Sequence, residues 1–198
     1  MTSPPTAPFA SRPRHAPLEP RPCRSALIVA DDAGAAAVVA LAERSPELIG
    51  KAVVLHVQDG FSMAPALAAL NPAQLVGVAS TAELPAALDR ALQGAAMGLQ
   101  AFLAGSEGVI GQAQAQLLAA GLPLGAIQSE HRGTAARRMQ CVHCKTIAEN
   151  VTVDPYTCPG CGRALFVRDH FSRRLGAFQG VCIDAETPGD VPEPVEIR

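Results

Sequence analysis

The chain has 198 residues with a net charge of −2, hydrophobic residues at 48% and charged residues at 17%. That composition excludes a wholly disordered protein, and no apolar run reaches the roughly 18 residues of a spanning helix. The aromatic share is 4%, with no Trp and one Tyr, too few for a base-stacking platform. Charge is unevenly placed: +3 over residues 1–24, −6 over 25–130, +5 over 131–183 and −4 over 184–198.

In chain order, residues 1–24 hold seven prolines (Pro4, Pro5, Pro8, Pro13, Pro17, Pro20, Pro22) and four arginines, a mixture that buries too little surface to offset ordering entropy. A disordered arm is predicted. There is no apolar core of a secretory signal, and the prolines break any amphipathic targeting helix, so export is not expected.

Residues 25–131 alternate short apolar runs with longer helical ones. Ala26–Ala30, Ala52–Val57, Leu75–Ala79, Leu99–Ala104 and Ile127–Ser129 read as buried parallel strands. Leu84, Leu88 and Leu92, opposed by Asp89 and Arg90, have helical spacing, as do Ile110, Ala113 and Leu117, opposed by Gln112 and Gln116. Thr81 is a candidate cap for the first helix; Gly121 and Pro123 end the second. Alternation at this spacing predicts an α/β fold, a doubly wound, mostly parallel sheet of about five strands.

Residues 139–183 form a second, small domain around Cys141-Val-His-Cys144 and Cys158-Pro-Gly-Cys161. Two Cys-x-x-Cys pairs, joined by a chain that hairpins back, supply four thiolates to one tetrahedral ion. Gly162 suits a knuckle turn with positive φ. Structural zinc is expected. Two disulfides would need an oxidising compartment. A rubredoxin-like iron site shares the Cys-Pro-x-Cys-Gly half but normally has Gly where Lys145 stands. His143 reads as solvent-facing, and Cys23 and Cys182 as free thiols. Phe166, Phe171 and Phe178 are expected to cover the knuckles. Arg168, His170, Arg173 and Arg174 are either a solvated face or a docking face for an acidic partner or phosphate. Residues 184–198 read as an acidic tail, tethered to the basic module by charge.

The stretch Phe166-Val-Arg-Asp-His-Phe-Ser-Arg-Arg-Leu-Gly-Ala-Phe-Gln-Gly-Val181, following Cys-Pro-Gly-Cys-Gly, resembles the C-terminal zinc ribbon of the A subunit of bacterial dimethylamine monooxygenase. The resemblance implies a cytoplasmic, multicomponent, NAD(P)H-dependent enzyme that demethylates secondary amines with O2. Haem, flavin and iron–sulfur centre would lie on partner subunits, and no catalytic residue on this chain. Leu103-Ala-Gly-Ser-Glu-Gly-Val-Ile110, Ala120-Gly-Leu-Pro123 and Ile127-Gln-Ser-Glu-His131 are similar to the closing segment of the pyridine-nucleotide half of ferredoxin-reductase-like flavoenzymes, without the flavin barrel.

The sequence departs from that second pattern where phosphate would bind. The first turn is Ala30-Asp-Asp-Ala-Gly34 rather than glycine-rich, and like charges there cost about 1 to 4 kcal/mol at effective dielectrics of about 80 to 20. Ala104 and Ser106 replace the family's cysteine and proline, and no Arg follows Val57-Gln-Asp-Gly60. Asp31, Asp32 and Gly34 are expected to face Gly105, Ser106, Glu107 and Gly108 across the switch-point crevice, a place for a cation, amine or basic peptide rather than NAD(P)H. The alternative is that the Asp pair only decorates a helix N-terminus. His56 reads as a satisfied core histidine rather than a catalyst. Three functions remain open: a docking subunit of the monooxygenase, the NAD(P)H-binding half of a split reductase, and a nucleic-acid-binding ribbon.

Overall fold

The computed structural model describes residues 11–58, 60 and 62–197. The first ten residues of the proline-rich segment, Asp59, Phe61 and Arg198 lie outside it.

Five parallel strands, β1 (Ser25–Asp31), β2 (Ala52–Val57), β3 (Gln74–Val78), β4 (Leu99–Gly105) and β5 (Ile127–His131), form a sheet ordered β3-β2-β1-β4-β5. The chain reverses winding between β1 and β4, so their carboxyl ends form a switch point. Their near-continuous apolar character reflects burial on both faces: Ile28, Phe102 and Ala104 lie in one core layer, Leu27, Val29 and Leu103 in the other. β3 departs from the expected burial, because as an edge strand it leaves Gln74 and Gly77 exposed.

Helices α1 (Ala35–Arg44), α2 (Pro46–Ile49) and α3 (Ala64–Ala68) cover one face, and α4 (Leu84–Gln93) and α5 (Glu107–Ala119) the other. The two helices read from leucine spacing are α4 and α5. The first three escape that reading because Ala35, Ala37 and Ala42 of α1 are core residues that look neutral in an apolar pattern. Thr81 is not the cap of α4. That position falls to Glu83, with no side-chain bond, while Pro85 in the first turn removes one N–H that would need a partner. α5 is capped by Ser106, whose hydroxyl accepts the Val109 N–H at 3.5 Å, and it closes through Gly121 at φ 91°.

Residues 11–24 are not a free arm. They run along β5: Ala16 N–H bonds to Ser129 O at 3.1 Å, Glu19 N–H to the Gln128 side chain at 2.9 Å, and Leu18 is wholly buried among Ile28, Val38 and Leu41. Proline richness misleads because an extended segment needs few backbone partners when it lies against a sheet edge, and Leu18 supplies the apolar anchor.

The second domain is a sheet ordered β7-β6-β11-β10-β9, from β6 (Arg137–Cys141), β7 (Ile147–Val151), β9 (Tyr156–Thr157), β10 (Ala164–Ser172) and β11 (Ala177–Cys182). Between β7 and β9 lies β8 (Val153–Asp154), which pairs with β12 (Val195–Glu196). The acidic tail is therefore held by backbone pairing and by Ile197 packed on the ribbon core, not by charge alone. The ribbon sits on α5, where a Cβ on Gly111 would lie 2.6 Å from Gly176 O.

Candidate metal centre and strand-end crevice

Each Cys-x-x-Cys pair occupies its own hairpin turn, the first between β6 and β7 and the second between β9 and β10. The expected single hairpin between the pairs is thus replaced by a chain passing through β7, β8 and β9. The two turns are built alike. Lys145 N–H bonds to Cys141 O at 3.0 Å and Gly162 N–H to Cys158 O at 2.9 Å; Cys141 N–H bonds to Thr146 O and Cys158 N–H to Arg163 O, both at 2.9 Å. Gly162 has φ 72°, as its turn requires, and Lys145 takes the same left-handed conformation at φ 65°. Gly160 lets the turns approach, since a Cβ there would lie 2.1 Å from Thr146 Oγ1.

This brings the ligand atoms of Cys141, Cys144, Cys158 and Cys161 within 4.8 Å of one another. Sγ of Cys141 lies 3.8 Å from that of Cys161, and Sγ of Cys144 3.5 Å from that of Cys158. A metal with bonds to sulfur of about 2.3 Å needs tetrahedron edges of about 3.8 Å, so the donor set fits such an ion. Among the described residues no other cluster of three or more His, Cys, Asp or Glu is so arranged. His143 is exposed and outside the cluster, and the half-buried Cys23 and Cys182 also lie outside it.

Four thiols this close cannot all ionise without a cation among them. The Thr146 hydroxyl, 3.1 Å from Cys144 Sγ, and its backbone N–H pull the Cys144 thiol down to about 6. The Arg163 N–H favours the Cys161 thiolate, yet burial and the neighbouring sulfurs push it up to about 12. Thr146 was not legible as a functional residue in sequence.

The rings do not cover the knuckles. Phe166 is 43% exposed, while Phe171 and Phe178 pack edge to face with centroids 5.1 Å apart and Arg137 over the Phe178 ring. Met139, Ala148, Val151, Leu165 and Val167 surround the cysteines instead.

At the switch point, Asp31, Gly34, Gly105 and Ser106 do converge, but they close on one another. Asp31 is wholly buried, its carboxylate accepting Gly34 N–H at 2.9 Å and Ser106 N–H at 2.7 Å. A Cβ on Gly105 would strike that carboxylate at 2.1 Å, and one on Gly34 would strike Ala104 O at 2.2 Å. These glycines serve chain packing. Asp32 turns away, accepting the Met63 N–H at 2.9 Å and facing His56 Nε2 at 2.7 Å. His56 is in the core, as expected, with its Nδ1 lacking a hydrogen-bond partner among the described residues. Glu107 is 5% exposed and meets His15 at 3.3 Å, and His15 Nδ1 lies 2.9 Å from Ser129 Oγ. Of the crevice set, Ser106 and Gly108 line an open pocket of about 270 Å³, with Gln58, Ser80, Thr81, Glu149 and Asn150.

Arg168, His170, Arg173 and Arg174 are exposed and make no ion pair with any described residue. Arg137 and Arg138 are engaged by Asp169 and Glu149.

Fold and site together define a doubly wound α/β domain carrying a zinc-ribbon-like domain with four converging cysteines. The chain belongs to the dimethylamine monooxygenase subunit DmmA-like family: residues 8–127 match its N-terminal domain and residues 138–181 its C-terminal domain. It is 38% identical over 115 residues to the "Heme-dependent oxidative N-demethylase delta subunit" of Ectopseudomonas mendocina (strain ymp), a match covering 58% of this chain and 66% of that one. A solved structure, "Ferredoxin reductase in carbazole 1,9a-dioxygenase (FAD apo form)", is similar at 18% identity and a TM-score of 0.43, covering 55% of this chain and 32% of that one. Among the described residues no helix is long and apolar enough to cross a membrane.

Proposed function

We propose that this chain is a non-catalytic subunit of an NAD(P)H-dependent monooxygenase that demethylates a secondary amine such as dimethylamine, holding the haem-bearing and reductase subunits in register. Haem, flavin and iron–sulfur centre belong to those partners. Cys141, Cys144, Cys158 and Cys161 hold a structural zinc ion, which ties the two hairpins together and does no redox chemistry. The subunit assignment draws support from the family and from the N-demethylase relative.

The observation that carries the non-catalytic reading is the buried Asp31 carboxylate. It takes the backbone N–H groups of Gly34 and Ser106, the groups that a dinucleotide pyrophosphate would use at a switch point. A second anion there would lack donors and face a carboxylate. That argues against the split-reductase reading, which otherwise draws support from the strand order β3-β2-β1-β4-β5. The pairing of Arg137 and Arg138 with acids weighs against a nucleic-acid ribbon.

Titration calorimetry of the full chain with NADPH, with elemental analysis of the same sample, tests the reading. Expected are one zinc per chain, a colourless protein and a dissociation constant above about 1 mM. Micromolar NADPH binding supports the split reductase instead, and red protein with stoichiometric iron removes the zinc assignment.

A further inference from the structure

We propose that Arg14, Arg21 and Arg173 form a docking pocket for an acidic segment of a partner subunit. This rests on the subunit reading above and names the contact. The three arginines come from opposite ends of the chain. Arg14 and Arg21 lie on the extended N-terminal segment, while Arg173 follows β10 of the ribbon, and together they line a pocket of about 310 Å³. Gln114, Gln128 and Ser129 are polar neighbours, and no acidic residue lines the pocket.

The arginines stand on a braced scaffold. Gln128 bonds both ways to the Glu19 backbone, at 2.9 and 2.8 Å, Leu18 is buried, and Arg21 donates to Gly125 O at 2.6 Å. Glu19, the acid nearest in sequence, is engaged by Arg44 at 3.0 Å. Arg14 and Arg173 make no ion pair with any described residue. The chain's own acidic segment does not fill the pocket, because it runs as β12 along β8 and supplies none of the lining. Leu124, 46% exposed at the rim, adds an apolar contact beside the guanidiniums, a combination typical of interface anchors. A pocket of about 310 Å³ takes one or two carboxylates, each met by a planar guanidinium fork, and is too short to follow an extended phosphodiester.

The test uses the full chain in two arms. In the first, wild type, Arg173→Ala and the Arg14→Glu/Arg173→Glu variant are co-expressed with the partner subunits, and assembly is measured with melting temperature as a control. In the second, labelled hexaglutamate or an oligothymidylate of equal charge is titrated at low and high salt. Wild type should assemble and bind hexaglutamate in a salt-sensitive way. Loss of Arg173 should weaken both by at least about tenfold, and the charge reversal should abolish them, with melting unchanged. Wild type that assembles while the double variant assembles equally well overturns the pocket and leaves the subunit reading intact. Wild type that fails to assemble but binds hexaglutamate through these arginines supports the pocket and overturns the subunit reading. Absence of peptide binding, or tighter binding of the oligothymidylate, overturns the proposal.

Discussion

At Cys144 and Lys145 the local chemistry of one knuckle separates from that of the other. Lys145 holds a left-handed φ that its counterpart Gly162 adopts freely, and the Thr146 hydroxyl has no equivalent beside Cys161. Cys144 therefore ionises before Cys161. In metal-free protein, Cys144 is predominantly thiolate above about pH 6, whereas Cys161 stays protonated until about pH 12. Iodoacetamide at pH 7 is expected to label Cys144 before Cys161, with the rate falling as pH drops through 6, as read by peptide mass spectrometry. Thr146→Val should slow that labelling severalfold by removing the hydroxyl that favours the thiolate. Equal labelling of the four cysteines would show that Thr146 does not govern the order of ionisation.

Among the elements, the N-terminal segment and β5 depend on one another. β5 ends the sheet, and an uncovered edge offers unpaired backbone groups to other chains. Residues 11–24 cover it with few backbone bonds, so their attachment rests on the buried Leu18. Leu18→Ala removes a side chain packed against Ile28, Val38 and Leu41 and is expected to cost about 2–5 kcal/mol. Limited proteolysis should then cut within residues 11–24 well before the sheet domain yields, and chemical denaturation should give the loss in stability. Protection equal to wild type would mean that the hydrogen bonds to Ser129, Gln128 and Glu130 suffice. At the other junction, Gly111 of α5 and Gly176 after β10 approach so closely that neither tolerates a Cβ. The ribbon thus sits directly on the sheet domain's helix.

Across the whole molecule, two cores stand on different supports. The sheet domain buries large apolar layers on both faces, whereas the ribbon core is a handful of aliphatic residues around four sulfurs. A core so small would rely on the proposed ion. Cys158→Ser should lose the metal and most hydrogen-exchange protection across β6, β7, β10 and β11, while β1, β2 and β4 stay protected. Loss of protection in both domains together would show that the contact between α5 and the ribbon couples them into one cooperative unit.

The parallel strands and the four-cysteine site were legible from local pattern, because burial on both faces writes continuous apolar runs and a tetrahedral ion demands short, regular cysteine spacing. The four-cysteine cluster could be read without any fold, since each pair needs only its own turn. Three things were decided by tertiary structure. Asp31 and Asp32, adjacent in sequence, part company because strand alternation sends one into the core beneath Ser106 N–H and the other towards His56. Residues 11–24 are held in place because a sheet edge more than a hundred residues downstream supplies their partners. Arg173 leaves its sequence neighbours Arg168, His170 and Arg174 to line a pocket with Arg14 and Arg21. Composition and spacing report what a segment can do alone, whereas these three outcomes depend on which distant surface it meets.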